Sequence, residues 1–93
     1  MPRAGWNGAV LAESADTVGV DGNHYFPRSA LREEHFAASA KHTVCGWKGR
    51  ASYLTVSAGG EVNPDAAWYY PDPKPAAEEL RDRVAVWRGV EIR

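Results

Sequence analysis

Cysteine is almost missing from this chain. Cys45 is the only one in 93 residues, so no internal disulfide can form and no pair of CxxC motifs exists to hold structural zinc. Long apolar runs are also absent. Met1-Pro2-Arg3-Ala4-Gly5 leads straight into Trp6-Asn7-Gly8 with no apolar core of signal-peptide length, and no segment approaches the roughly 20 apolar residues of a membrane span. Nor does one charge dominate: 11 basic and 12 acidic residues leave a net charge of -1, with no run of Lys or Arg to neutralise a phosphate backbone. These absences predict a cytoplasmic protein in a reducing compartment, with neither nucleic acid nor membrane as its partner. No cofactor is expected, and a single cysteine with scattered histidines predicts a chain without a resident metal. The length fits one domain, residues 1–93, which buries only about 60 to 65 % of its unfolded surface.

What the chain does have is short β-prone runs broken by turns. Trp6 to Glu13 and Thr17 to Val20 are the first two, and Asp21-Gly22 before Asn23-His24-Tyr25-Phe26 is a two-residue hairpin signal. Ser29 to Glu34, rich in Ala, Leu, Arg and Glu, suits a helical turn or two, with Arg28, Arg32, Glu33 and Glu34 as a solvated face. Arg50 to Ala58 reads as a strand in which Leu54 and Val56 point one way while Tyr53 and Thr55 point the other, ended by Gly59-Gly60. Asn63-Pro64-Asp65 reads as a turn. Trp68-Tyr69-Tyr70 is another strand, stopped by Pro71, Pro73 and Pro75. From Pro75 to Arg83 the spacing of Ala76, Ala77, Leu80 and Val84 predicts a helix packed on the sheet, with Asp72 near its start and a Glu79–Arg83 pair outside. Val84 to Trp87 and Val90 to Ile92 supply a final strand or hairpin around Arg88-Gly89. The fold class that follows is α+β, mostly β, with one or two short peripheral helices.

Chemistry concentrates in three clusters. Thr43-Val44-Cys45-Gly46-Trp47-Lys48-Gly49 sets a thiol, an indole and an ammonium within four residues, and a neighbouring ammonium lowers a thiol's pKa toward the reactive thiolate. Gly22-Asn23-His24-Tyr25-Phe26-Pro27 adds an imidazole and two rings, and Ala67-Trp68-Tyr69-Tyr70-Pro71-Asp72-Pro73 adds three more rings. Each residue also has a plain structural role. Cys45 suits a small buried hydrophobe, His24 and His42 suit capping or surface positions, His35 suits the surface, and the tryptophans suit the core. Lys48 fits either an exposed turn or an anchor for an anion. His24, His42 and Cys45 together would make a three-ligand metal site, but no spacing enforces that geometry.

The order Gly22-Asn23-His24-Tyr25-Phe26-Pro27, Thr43-x-Cys45-x-Trp47-Lys48-Gly49-x-Ala51-x-Tyr53, and Asn63-x-x-Ala66-Ala67-Trp68-x-Tyr70-Pro71-x-Pro73 resembles a family of small bacterial and fungal proteins called domain of unknown function 427, over nearly the whole chain. The resemblance implies a compact antiparallel sheet or half-barrel of tent-like shape. The family commonly has proline where this chain has Gly46, which leaves the loop carrying Cys45 and Trp47 less fixed here. It is sometimes labelled as nucleotidyltransferase-associated, yet this chain has no phosphate-cradling glycine loop followed by Lys and Ser or Thr, and no close aspartate pair for magnesium.

The expectation is a small-molecule site in an aromatic-lined pocket, with Tyr25, Trp47, Tyr53, Trp68 and Tyr70 as walls and His24, Lys48 and Cys45 as polar groups. If chemistry occurs there, Cys45 is the nucleophile or redox centre and His24 or His42 the base. The alternatives are a non-catalytic interaction module or homodimer, and a nucleotidyltransferase accessory. A concave convergence of the aromatics favours the pocket, and a flat exposed patch favours the interface.

Overall fold

Tight turns divide the chain into nine strands in the computed structural model, which describes residues Met1–Arg93. Strands β1 (Arg3–Trp6) and β2 (Ala9–Glu13) form a hairpin about Asn7-Gly8, whose φ values of 49° and 82° give the type I′ pattern. The segment from Trp6 to Glu13 is therefore a turn and a strand rather than one run. Asp21-Gly22, with φ of 54° and 80°, joins β3 (Val18–Val20) to β4 (Asn23–Tyr25) as the sequence predicts. Gly59-Gly60, also with positive φ at both residues, joins β6 (Gly49–Ala58) to β7 (Glu61–Tyr69). Glycine is favoured at Gly59 by its positive φ of 60° and by a close neighbour. A Cβ there would stand 2.7 Å from Asn7 Nδ2, the atom that donates to the Ala58 carbonyl at 2.8 Å.

Sequence pattern did not reveal β5 (Phe36–Cys45), which pairs with β6 to open a four-stranded antiparallel sheet in the order β5-β6-β7-β8, with β8 at Val84–Val86. Its run of alanines and small polar residues carries little strand propensity, and most of it is exposed because it is the sheet edge. Asn63-Pro64-Asp65 is not a free turn but part of β7. A register shift in the β6–β7 pairing absorbs the proline, with Asp65 at φ 57°. The last strand, β9 (Glu91–Ile92), returns to β1 and completes a three-stranded sheet β2-β1-β9. There Arg3 and Arg93 exchange both backbone hydrogen bonds at 2.9 Å.

No α-helix forms. Arg28–Ala30 and Glu33–His35 are single 3-10 turns, and the segment expected as a helix is a 3-10 stretch at Pro75–Leu80, broken by Ala77 at φ −118°. A three-residue period changes which side chains share a face. Ala77 and Leu80, three apart, are buried, while Ala76 is exposed. The Glu79–Arg83 pair does not form either. Arg83 binds Asp16, Arg81 binds Glu78, and Asp72 gives no side-chain cap but lies 3.7 Å from Arg81.

The four-stranded sheet is covered on both faces, and alternation sorts its side chains between two cores. Leu54, Val56, Ala67 and Val84 pack with Ala4, Leu11 and Phe26 on the side of the β1-β2-β9 sheet. Ala51, Tyr53, Tyr70 and Ala85 pack with Tyr25, Ala77 and Leu80 on the side of the β3–β4 hairpin. The result is the β-rich fold expected, with antiparallel sheets that do not close into a barrel. No helix is long and apolar enough to cross a membrane.

Candidate functional site

The second core is incomplete at one end, and the gap is a cavity of about 150 Å³ lined by Asn23, Tyr25, Lys48, Tyr53, Trp68, Tyr70 and Trp87. Strand periodicity decides which residues reach it. On β7 Trp68 faces the cavity, and Tyr70 just beyond the strand end does the same, whereas Tyr69 packs into the other core. On β4 the same parity brings in Asn23 and Tyr25 and sends His24 outward, where it is exposed and meets Thr17 at 3.3 Å. His24 therefore does not border the cavity. Asn23 and Trp87 do, although neither stood out in the sequence. Two-residue spacing from Tyr25 would have pointed to Asn23, but nothing local marks Trp87.

Ring geometry fixes the walls. Trp68 meets Tyr25 edge-on at 6.2 Å and Trp87 at 5.7 Å. Its indole N–H donates to the Tyr25 hydroxyl at 3.2 Å, Trp87 donates to the Asp65 carbonyl at 2.6 Å, and the Tyr53 hydroxyl shares a 2.9 Å bond with Thr43. Two cations lie over these rings, Lys41 at 5.2 Å from the Tyr53 centroid and Arg88 at 4.7 Å from that of Trp87.

Lys48 is the one charged side chain in the lining. The residue is only 8 % exposed, and its ammonium pairs with Asp21 at 2.5 Å. It is delivered by the turn between β5 and β6, whose Gly49, at φ 111°, lies against the backbone of Asp72 to Lys74. Burial pulls the Lys48 pKa down, but the bond to Asp21 and the charges of Tyr25, Asp21 and Cys45 outweigh it, so the net direction is upward. Asp21, at the tip of the β3–β4 hairpin, is mostly in water. Tyr70 is nearly enclosed, and burial pushes its phenol well above the usual tyrosine range.

Cys45 and Trp47 sit beside this cavity rather than in its lining. Cys45 is partly buried against the second core, and the backbone amides of Lys48 and then Trp47 hold its thiol below the ordinary range, with the Lys48 charge a smaller contribution. Trp47 is 45 % exposed, with its ring 5.0 Å from the Lys48 ammonium. His42 is exposed on β5 and meets Ser52. His24, His42 and Cys45 do not converge, and no three His, Cys, Asp or Glu side chains gather as a metal site. His35 is not a plain surface residue, because its ring reaches the Ser57 carbonyl at 2.8 Å.

A second opening, of about 300 Å³, lies against the β2-β1-β9 sheet. Its arginines, Arg3 and Arg93, are paired with Glu13 and Glu91, and none of the three sequence clusters contributes to it.

The family model described as Domain of unknown function (DUF427) matches residues 3–92. The chain belongs to this family. No curated protein matches it. In this DUF427 domain the matched span takes in every element from β1 to β9, so the cavity lies wholly within the family region.

Proposed function

We propose that this domain is a cytoplasmic small-molecule binding module whose ligand occupies the cavity lined by Tyr25, Lys48, Tyr53, Trp68 and Tyr70. One observation supports this above the others: aromatic side chains from β4, β6 and β7 converge on a concave site around an almost buried ammonium. Binding without catalysis fits best, because His24 faces away and neither an imidazole nor the Cys45 thiol lines the cavity. A thermal-shift screen of single-ring metabolites tests the reading. A ligand at 100 times its Kd adds about 2.7 kcal/mol, which raises Tm by roughly 10 °C or more in a domain this small. Hits should lose their effect in Trp68→Ala. Hits that stabilise wild type and Trp68→Ala equally bind elsewhere and contradict the proposal.

A homodimer is the second reading. The outer edge of β5 has no partner strand, Val44 on it is 79 % exposed, and Trp47 projects from the adjoining turn. Against it, Lys41 and a register shift between Ala38 and His42 interrupt that edge. Sedimentation across micromolar concentrations discriminates the two, with a monomer throughout removing the dimer.

A further inference from the structure

The polar groups around the cavity are unbalanced between donors and acceptors. Trp68 and Trp87 spend their N–H groups within the protein, and the Tyr53 hydroxyl is engaged by Thr43. Tyr25 accepts from Trp68, but its own O–H meets no acceptor. Tyr70 is 5 % exposed and its hydroxyl makes no hydrogen bond, yet every fully enclosed polar side-chain atom in the protein has a partner. Its hydroxyl is therefore not fully enclosed, and Tyr70 is one of the residues that line the cavity. Lys48 has three donors and uses one, on Asp21. Tyr25 is fully buried, so the surplus donors among the lining residues are the Tyr70 phenol and the unspent ammonium protons of Lys48, while Asn23 alone brings an amide that serves either way.

We infer that the cavity selects a carboxylate-bearing ligand of single-ring size, held through its oxygens by Lys48 and Tyr70 with its flat face among Tyr53, Trp68 and Trp87. This rests on the cavity being the ligand site. A carboxylate accepts only, so it satisfies surplus donors that a neutral amide, bringing donors of its own, does not. Size follows from the volume, since a cavity of about 150 Å³ takes a benzene-sized molecule. Charge agrees, because Arg88 and Lys41 lie against two of the lining rings. Two carboxylates oppose this. Asp21 already takes one Lys48 proton but is largely hydrated, and Asp65 on β7 is engaged by Ser39. Burial keeps the Tyr70 phenol protonated through neutral pH, so it stays a donor.

Benzoate and benzamide share a shape and differ in this chemistry. Titrated into the ¹⁵N-labelled full chain, both should move the Trp68 and Trp87 indole N–H signals, with benzoate bound at least about tenfold more tightly, the equivalent of one charged hydrogen bond. Tyr70→Phe and Lys48→Met should each erase most of that preference, by weakening benzoate far more than benzamide. Asp21→Asn removes the competing carboxylate and should tighten benzoate binding, which keeps the test alive if Lys48→Met fails to fold. Equal affinity for the two compounds overturns the ligand class and leaves the pocket standing. Silence of both indoles toward both compounds overturns the pocket as well.

Discussion

Replacing Lys48 by Met and Asp21 by Asn should have unequal consequences for stability, and the contrast tells whether Lys48 serves the fold or the cavity. The Lys48 side chain is 10 % exposed and that of Asp21 is 59 % exposed. Met at position 48 removes a desolvated charge, keeps most of the apolar stem, and leaves Asp21 free to rehydrate. Exchanging buried ions for hydrophobes is often neutral or stabilising, so the expected change is under about 1 kcal/mol in either direction. Asp21→Asn instead leaves the enclosed ammonium with a weaker, neutral acceptor. Breaking a fully buried pair costs roughly 3 to 5 kcal/mol, but Asp21 lies mostly in water, and screening reduces the figure to about 1 to 2 kcal/mol. Urea unfolding at pH 7, followed by tryptophan fluorescence, measures both. A second signature comes from pH. The folded-state pKa of Lys48 lies above its ordinary value, so its contribution to stability is complete below about pH 10.4 and is lost as pH rises through the folded value. That alkaline loss should vanish in Lys48→Met. A Met variant less stable than the Asn variant would show that Lys48 is a structural strut, and the case for a functional ammonium would fail.

Leu80→Ala empties a fully buried position and should cost about 2 to 5 kcal/mol in denaturant unfolding. Gly59→Ala must place a Cβ against Asn7 at positive φ, and should lose about 1 to 3 kcal/mol and more than Gly60→Ala, where the space is open; equal losses would mean the Asn7 contact contributes nothing. Iodoacetamide should alkylate Cys45 with an apparent pKa below the free-thiol value of about 8.5, and because the Lys48 and Trp47 amides lead that depression, Lys48→Met should leave most of it in place. An alkylation midpoint at or above the free-thiol value in the folded chain would contradict the placement of those amides.

Much of the fold is legible where local chemistry is decisive. Asp21-Gly22 and Gly59-Gly60 need positive φ, and Tyr53 to Val56 alternate as a two-sided strand must. Asn7-Gly8 carried the same turn signal inside a run that looked continuous. β5 was not legible, because its residues pair by virtue of β6 rather than by their own propensity. Pro75 to Arg83 has a helical pattern, but the chain must turn at Asp82, at φ 57°, into β8 within a few residues, and the tighter 3-10 form accommodates that. In the site, Lys48, Tyr25, Trp68 and Tyr70 come together from clusters visible in the sequence, and Tyr53 from the strand read at Arg50 to Ala58. His24 was misplaced by one step of strand parity relative to Tyr25. Trp87 could not be foreseen, because only the pairing of β8 with β7 brings it to Trp68.

The mutual backbone bonds between Arg3 and Arg93 give the molecule a seam rather than two loose ends. A short glycine-rich bridge across that seam would ask little of the structure. New termini could then be cut at Gly46-Trp47, an exposed turn between strands that remain held along their length. Such a rearranged chain should reach the same fold with β1 and β9 now joined as a hairpin. Their pairing would change from a closure across some ninety residues to a contact between neighbours, and if bringing those distant segments together limits folding, the rearranged chain should fold faster than the original.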